Sequence, residues 1–242
     1  MLYLIGIGLN DEKDISLKGL EAIKKCRFVY LENYTSKFNT DVKKLEKLCN
    51  KKILLADRNM VENSQEIINN AKKYNVAFLV IGDVFSATTH INFILECRKN
   101  NIKSKVIHNA SIITAVGETG LEIYKFGKIT SIPFNNENIK IPIETINKNL
   151  KDNMHTLIIL DLDPLNNKYL SANEALKYLV KNSIPENTKV LICSQLGGDP
   201  EIVYSEIKNL LKKEFKKFPQ SIIIPSNKLH FIEEETLNLW KI

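Results

Sequence analysis

A glycine followed by a carboxylate, Gly82-Asp83, is the pair in this sequence best suited to hold a small ligand. The pair follows an apolar run over residues 76–81, which is typical of a strand buried on both faces. Open α/β sheets bind ligands at the carboxyl ends of such strands. There Gly82 lets a ligand approach the backbone, and Asp83 provides an acceptor. The alternative, which the pair by itself favours, is an ordinary strand-to-helix turn capped by Asp83.

The cysteines and histidines predict neither a metal centre nor a covalent nucleophile. No cysteine belongs to a CxxC pair or lies near a histidine at metal-ligand spacing. We therefore expect reduced, mostly buried thiols in a cytosolic protein at Cys26, Cys49, Cys97 and Cys193. His90 is a candidate for acid–base catalysis, although a packed, hydrogen-bonded side chain is the favoured interpretation. His108 and His155 flank predicted strands, and we expect them to be structural.

The first glycines of the chain, Gly6 and Gly8, do not form a dinucleotide-binding fingerprint. That motif needs a third glycine at position 11, where this chain has Asp11. The next helix is also predicted to begin late, with Ser16 as its N-cap. We therefore reject binding of a nicotinamide dinucleotide and predict a long loop over residues 8–15.

Strand and helix patterns alternate along the chain, which predicts an α/β fold. In the first half, strands are predicted over residues 2–7, 28–32, 52–56, 76–81 and 104–108. Helices are predicted from Ser16 to about 26, after a Thr40 cap, and over about 63–74 and 90–99. We assign residues 1–108 to an N-terminal α/β domain with a mostly parallel sheet.

The second half predicts a C-terminal α/β domain with a mixed sheet, residues 109–242. Its strands are predicted over residues 129–133, 155–162, 188–194, 201–204 and 221–225. Helices are predicted over about 142–151, 207–215 and 229–240, and from a capping box at Ser171–Glu174 to about 180. The last helix carries an apolar stripe of Phe231, Leu237 and Trp240, which we interpret as core or dimer interface. A ligand cleft is expected between the two domains.

Composition argues against a nucleic-acid-binding protein. The formal charge is +6, from 34 basic and 28 acidic residues, but the lysines are scattered. Arginine, which makes the bidentate contacts of nucleic-acid binders, occurs only at positions 27, 58 and 98. The chain starts with a strand-like sequence that has no basic region before it, and no apolar run approaches the ~20 residues of a membrane helix. We expect a cytoplasmic protein.

Taken together, several motifs resemble those of S-adenosylmethionine-dependent methyltransferases of the tetrapyrrole methylase class, and within it the diphthine synthase family. The resemblance spans essentially the whole chain. Its most specific stretches are ATTH at 87–90, NASIITAVGETGLEIYKFGK at 109–128 and KLHFIE at 228–233. Further matching stretches are LYLIGIGLNDEKDISLKGLEAIKKC at 2–26, LENYTS at 31–36, HTLIILDLD at 155–163 and YLSANEAL at 169–176.

This resemblance implies methylation of a modified histidine on translation elongation factor 2 during diphthamide biosynthesis. The acceptor is the amino nitrogen of the 3-amino-3-carboxypropyl group on that histidine. A homodimer is implied, with S-adenosylmethionine as methyl donor, S-adenosylhomocysteine as product and no metal. The implied cofactor contacts are Leu9, Asp83, Ser86, Ser111, Ile112, Leu162, Leu196 and His230. Two alternatives are a methyltransferase of the same class acting on a tetrapyrrole, and a basic nucleic-acid-binding protein.

The chemistry of these positions suits the implied cofactor. Leucine and isoleucine side chains provide apolar walls for adenine and ribose, and a carboxylate suits a cationic donor. Ser111, where a helix is expected to begin, is suited to hold the cofactor's carboxylate. Two departures from the family pattern are Val84, where proline is usual, and the stretch CSQLGG at 193–198. The general base is left open among a backbone carbonyl, a bound water and the substrate's own carboxylate.

Overall fold

The structure, a computed structural model, describes residues 1–34 and 36–242. In the sequence, Tyr34 and Thr35 are candidates for contact with a protein substrate, although a solvated surface loop is the favoured interpretation. Thr35 lies outside the described residues. Contacts divide the chain into one unit of Met1–Ile113 with Pro164–Asn166, and another of Thr114–Asp163 with Asn167–Ile242. The sequence-based boundary between residues 108 and 109 falls five residues before this division. The α/β fold class is confirmed.

The first unit is built on a five-stranded sheet in which every pairing is parallel. Its strands are β1 (Leu2–Gly6), β2 (Phe28–Glu32), β3 (Leu54–Ala56), β4 (Val76–Val80) and β5 (Ser104–Ile107). Their order in the sheet is β3-β2-β4-β1-β5. The helices are α1 (Leu17–Lys24), α2 (Val42–Cys49), α3 (Arg58–Asn63), α4 (Gln65–Lys73) and α5 (Ile91–Lys99). A short helix, α6 (Ile112–Ala115), begins in this unit and ends in the next.

Strand β4 is buried on both faces, as its continuous apolar sequence predicts. Ala77 and Leu79 pack into one hydrophobic cluster, whereas Val76, Phe78 and Val80 pack into another. Side chains alternate across a strand, so the two clusters lie on opposite faces of the sheet. Because β1 and β2 both pair with β4, β4 is the centre of this unit.

Two helix starts in the first unit differ from the predictions. Asp41, not Thr40, caps α2, because its carboxylate accepts a hydrogen bond from the Lys43 backbone N–H at 2.9 Å. The helix predicted over residues 63–74 is α4, and the preceding α3 was not predicted. They are separated by Ser64, whose φ of 49° interrupts the helical backbone. The Ser16 cap of α1 is confirmed.

The second unit contains a mixed five-stranded sheet with the order β11-β10-β12-β7-β6. Its strands are β6 (Thr130–Ile132), β7 (Thr156–Leu160), β10 (Lys189–Ser194), β11 (Glu201–Glu206) and β12 (Gln220–Ile224). A separate ribbon pairs β8 (Leu162–Asp163) with β9 (Lys168–Tyr169). The helices are α7 (Ile141–Lys151), α8 (Ala172–Lys181), α9 (Ile207–Leu210) and α10 (Phe231–Leu239). The capping box of Ser171 and Glu174 is confirmed.

Three elements of the second unit depart from the predictions. The strand predicted over residues 155–162 ends at Leu160. The carboxylate of the next residue, Asp161, accepts a hydrogen bond from the Leu162 N–H at 3.0 Å, which forms a local turn. The helix predicted over residues 207–215 ends at Leu210. Gln220 donates to the Phe215 carbonyl, which holds the following segment in a loop. In the predicted apolar stripe Leu237 is buried, but Phe231 is 61% exposed and does not belong to the core.

No helix within the described ranges is both long enough and apolar enough to cross a membrane. All four cysteines are free and buried, as expected from their spacing.

Candidate functional site

Three loops meet at the carboxyl edge of the first unit's sheet, after β1, β4 and β5. The loops after β1 and β4 are joined by the backbone: Gly82 N–H donates to the Gly8 carbonyl at 2.6 Å, and Gly8 N–H donates to the Gly82 carbonyl at 3.3 Å. Both glycines have φ near +84°, which side chains other than glycine adopt only with strain. The loop after β5 reaches the same place through Asn109, whose side chain donates to the Gly6 carbonyl at 3.0 Å.

Residues of the other two loops surround Gly82. A Cβ atom added to Gly82 would lie 3.7 Å from Leu9 Cδ2, 3.8 Å from the Ala110 carbonyl oxygen and 4.0 Å from Ser111 Cα. Three of the predicted cofactor positions, Leu9, Asp83 and Ser111, therefore belong to loops that converge beside this glycine. A Cβ atom at these distances would be in ordinary van der Waals contact, so the positive φ of Gly82, and not crowding, favours glycine at this position.

Asp83 ties the loops after β4 and β5 together. Its Oδ1 accepts from the Phe85 N–H at 3.1 Å, and its Oδ2 accepts from the Asn109 N–H at 3.0 Å. The same Oδ2 lies 2.8 Å from Nδ1 of His108. Burial alone would raise the pKa of Asp83, but these hydrogen bonds outweigh it and lower the pKa below its ordinary value. The carboxylate is thus ionised and already holds three donors of its own chain, including the cap-like bond to Phe85.

Asn109 is a key residue of this site that the sequence analysis missed. Besides Gly6, its side-chain amide donates to the Asp14 carbonyl at 3.0 Å. Asp14 in turn accepts from the backbone N–H groups of Leu9 and Asn10 through its Oδ2, at 3.1 and 2.7 Å. The sequence does contain a signal for Asn109: the polar pair His108-Asn109 directly follows β5, at the edge of the sheet where the glycine turns lie.

The other predicted positions of the first unit lie nearby along the chain. Ser86 is half-buried and closes the turn after β4 through its N–H to the Asp83 carbonyl at 3.4 Å. Ser111 is buried and directly precedes α6. Ile112 begins that helix and is half-buried. Because α6 has only four residues, its amides by themselves make a weak anion site.

Within the second unit, Leu162 and Leu196 follow parallel strands of one sheet. β7 and β10 both pair antiparallel with β12, so their carboxyl ends lie at the same edge. Leu162 begins β8 after β7 and is half-buried. Leu196 is 6% exposed and lies in a turn between Gln195 and Gly197, whose backbones both have positive φ.

His230 lies apart from these two leucines within the same unit. It is exposed and caps α10, where its Nδ1 accepts from the Ile232 N–H at 3.4 Å. Its own N–H donates to Glu233 at 2.8 Å, and Glu233 contacts His155. His155 directly precedes β7, whereas Leu162 follows the other end of that strand.

Glu233 organises the segment that carries His230. Its carboxylate accepts from Lys125 Nζ at 2.6 Å, His155 Nε2 at 2.7 Å and the Glu122 N–H at 3.0 Å, besides the His230 N–H. Burial alone would raise the pKa of Glu233, but these four donors lower it to about 2. In the sequence KLHFIE stands out only as a matching motif, because three of the four donors to Glu233 lie more than 70 residues away.

The His155 ring is neutral. Its Nδ1 accepts a hydrogen bond from the Ser226 N–H at 2.8 Å, so only Nε2 carries a proton, which it donates to Glu233. Burial lowers the pKa of His155 and outweighs the adjacent carboxylate, in agreement with this geometry. The expectation that His155 is structural fits its complete burial.

His90 is a packed core residue rather than a group exposed at the site. It is 2% exposed, stacks edge-on against Phe78 at 5.3 Å between ring centroids, and lies 3.4 Å from Glu32 Oε2. Burial lowers the pKa of His90 to about 4. Its Nδ1 contacts the carbonyl of Val84, which is itself fully buried in the core and accepts a second hydrogen bond from Thr88. These contacts hold the turn in which valine replaces the usual proline.

Gly6→Ala is expected to destabilise the first unit by about 1–3 kcal/mol. The added Cβ would lie 2.6 Å from the Gly82 carbonyl oxygen, and backbone cannot move aside as a flexible side chain can. Denaturant unfolding of the purified variant measures the loss. Gly198→Ala is the control, since Gly198 is exposed and has no positive φ. Equal stability of the two variants would contradict the tight approach of the loops after β1 and β4.

Within the part of the chain that the structure describes, no group of three or more His, Cys, Asp or Glu side chains is arranged to hold a metal ion.

A family model, similar proteins and similar solved structures all match nearly the whole chain or most of it. The family model described as Tetrapyrrole (Corrin/Porphyrin) Methylases matches residues 1–210. A protein of Methanocaldococcus jannaschii named diphthine synthase is 40% identical over 98% of this chain and 97% of its own length. A Schizosaccharomyces pombe protein named diphthine methyl ester synthase is 34% identical, over 100% of this chain and 95% of its own. A crystal structure of diphthine synthase superposes with a TM-score of 0.93 at 33% identity, covering 99% of this chain and 95% of that one.

Proposed function

The chain belongs to the tetrapyrrole methylase family, and from this membership and its relatives we infer that it is an S-adenosylmethionine-dependent methyltransferase of diphthamide biosynthesis. The observation that carries the inference is that proteins named diphthine synthase align with nearly the whole of this chain, over nearly the whole of their own length. A relative that shared only the fold would not keep 40% identity over 98% of this chain. The proposed activity is that of a diphthine synthase.

The proposed substrate is translation elongation factor 2 that carries a 3-amino-3-carboxypropyl group on a histidine. A tetrapyrrole substrate is not favoured, because the tetrapyrrole name belongs to the family model, whereas the similar full-length proteins carry the diphthine name. A nucleic-acid-binding function is not favoured either, since both the family and the relatives are enzymes.

The residues beside Gly82 fit S-adenosylmethionine. Apolar Leu9, the backbone of Ala110 and the buried Ser111 lie around Gly82. This combination of an apolar wall with backbone acceptors suits a nucleoside and an amino-acid group. The proposed contacts are Leu9, Asp83, Ser86, Ser111 and Ile112 in the first unit, and Leu162, Leu196 and His230 in the second.

When bound, S-adenosylmethionine supplies a methyl group on a positively charged sulfur. The work of this chain is to hold the reacting atoms in line and to exclude water, which contributes up to ~7–11 kcal/mol to such steps. Asp83 contributes by fixing the loops after β4 and β5, because its carboxylate accepts hydrogen bonds from three groups of the chain itself. In this proposal its role toward the cofactor is to position backbone groups and to provide negative charge near a cationic donor.

We also propose an oligomeric state, a cellular location and a protein partner for the enzyme. By resemblance to its family it acts as a homodimer in the cytoplasm, and its protein partner is elongation factor 2. Size-exclusion chromatography with light scattering tests the dimer directly, and a molar mass near that of one 27.7 kDa chain would reject it.

Calorimetry and a methylation assay test the function. We expect binding of S-adenosylmethionine and S-adenosylhomocysteine, and transfer of labelled methyl groups to elongation factor 2 that carries the aminocarboxypropyl group. Unmodified elongation factor and a tetrapyrrole acceptor are the controls. Mass spectrometry of the product counts the methyl groups and separates transfer to nitrogen from transfer to a carboxylate. Cofactor binding with transfer only to the tetrapyrrole would replace the proposal with its alternative.

A further inference from the structure

The side chain of His108 is open to solvent at the candidate site, although the carboxylate that it contacts is buried. Its side chain is 67% exposed, whereas that of Asp83, which it contacts, is 11% exposed. Phe85 packs edge-on against the imidazole with ring centroids 6.0 Å apart. The ring is therefore held on one side and open on the other, at the edge where the loops after β1, β4 and β5 converge.

The hydrogen bond to Asp83 decides which ring nitrogen carries the proton. An ionised carboxylate only accepts hydrogen bonds, so Nδ1, at 2.8 Å from Oδ2, must be the donor. In the neutral ring Nε2 then has no proton and offers its lone pair on the exposed side. A carboxylate that orients an imidazole in this manner also stabilises the imidazolium that forms when Nε2 takes up a proton.

We propose that His108 is a catalytic residue whose Nε2 accepts the proton that the substrate's amino nitrogen must lose before it attacks the methyl group. The inference rests on the proposed function and supplies the base that the sequence analysis left open. Because the substrate is a side chain of another protein, it must approach from solvent, and His108 is open to solvent. Asp83 is the positioning residue of this pair.

The step balances without any further reagent. Nε2 takes a proton from the substrate's ammonium group, and the lone pair that this frees on the nitrogen forms the bond to the methyl carbon. The sulfur–carbon bond breaks, and its electron pair neutralises the sulfonium. The proton that leaves the nitrogen bonds to Nε2 and later passes to water. A carboxylate acceptor needs no such base, because it reacts in its already deprotonated form. His108 is therefore required for transfer to nitrogen and dispensable for transfer to oxygen.

The test compares His108→Gln with Lys105→Gln, an exposed control on β5 of the same unit. Glutamine at position 108 keeps a donor for Asp83 but has no group that accepts a proton. We expect transfer to nitrogen to fall at least about 100-fold in kcat, with the affinity for S-adenosylhomocysteine unchanged within about two-fold. Any transfer to a carboxylate, counted by mass spectrometry, is expected to persist, and Lys105→Gln is expected to retain both.

Two further readouts separate a catalytic from a structural role. The nitrogen-transfer rate of His108→Gln is expected to rise steadily with pH, because only substrate amine that has already lost its proton reacts, whereas the unmodified enzyme reaches a plateau. In the protein without substrate, nitrogen NMR of the neutral His108 ring is expected to show the tautomer with its proton on Nδ1 rather than on Nε2. An unchanged nitrogen-transfer rate, or a loss of cofactor affinity that accounts for the defect, would overturn the proposal. Absence of any transfer by the unmodified enzyme would instead reject the proposed function.

Discussion

Glu233→Gln is expected to lower the free energy of unfolding of the second unit by about 3–5 kcal/mol. Glu233 is completely buried and accepts from Lys125, His155, the Glu122 N–H and the His230 N–H. Glutamine has an NH₂ group in place of one carboxylate oxygen, so the donors that contact that oxygen lose their acceptor. The substitution also leaves the ammonium of Lys125 without its counter-charge. A buried charge that loses its partner accounts for most of the expected loss.

The size of this effect depends on pH in a predictable direction. The pKa of Glu233 is about 2 in the folded protein, below its ordinary value of 4.5. The unfolded chain therefore binds a proton more readily, and the stability that Glu233 contributes is fully present above pH 4.5 and is lost as pH falls toward 2. The difference between the unmodified protein and Glu233→Gln should shrink over the same interval.

Trp240 provides the measurement, because it is the only tryptophan of the chain and its Nε1 donates to the Thr119 carbonyl at 3.1 Å inside the second unit. Its fluorescence during urea unfolding follows that unit. Glu234→Gln is the matched control: Glu234 is the next residue in the same first turn of α10 but is exposed. Similar stabilities of the two variants between pH 6 and 8 would show that the network around Glu233 contributes little.

Asp83→Ala is expected to weaken binding of S-adenosylhomocysteine by about 10- to 100-fold, which corresponds to ~1–3 kcal/mol for a buried polar group left without its partner. The change removes the acceptor of the Phe85 and Asn109 N–H groups and of the His108 ring. The loops after β4 and β5 then lose the group that joins them, and the residues around Gly82 are no longer held in place. Isothermal titration calorimetry measures the affinity.

Asp57→Asn serves as the control for Asp83. Asp57 is an exposed cap of α3 that accepts from the Met60 N–H at 2.8 Å, and asparagine caps helices about as well as aspartate. Circular dichroism establishes that both variants fold. A folded Asp83→Ala variant with unchanged affinity would mean that Asp83 acts only as a local turn residue, the alternative that the Gly82-Asp83 pair by itself favoured.

Local patterns predicted a large part of this architecture. The continuous apolar run before Gly82 indicated a strand buried on both faces, and β4 is that strand. Ser16 and the Ser171–Glu174 box marked helix starts because capping involves residues only three positions apart. The same local character explains the errors: Thr40 and Asp41 are neighbouring candidates for one cap, and the side chain that binds the backbone decided between them.

What the sequence by itself determined is the order of strands and helices, the burial of the central strands, and the glycine turns at their carboxyl ends. Only the tertiary structure decided which polar groups meet there. Asp83 contacts His108 across 25 residues, Glu233 contacts His155 across 78, and Asn109 contacts Gly6 across 103. Such pairs carry no periodicity, because each depends on how separate strands pair within a sheet. His108 accordingly looked like an ordinary structural histidine in the sequence, and its contact with Asp83, together with its open face, became visible only in the folded chain.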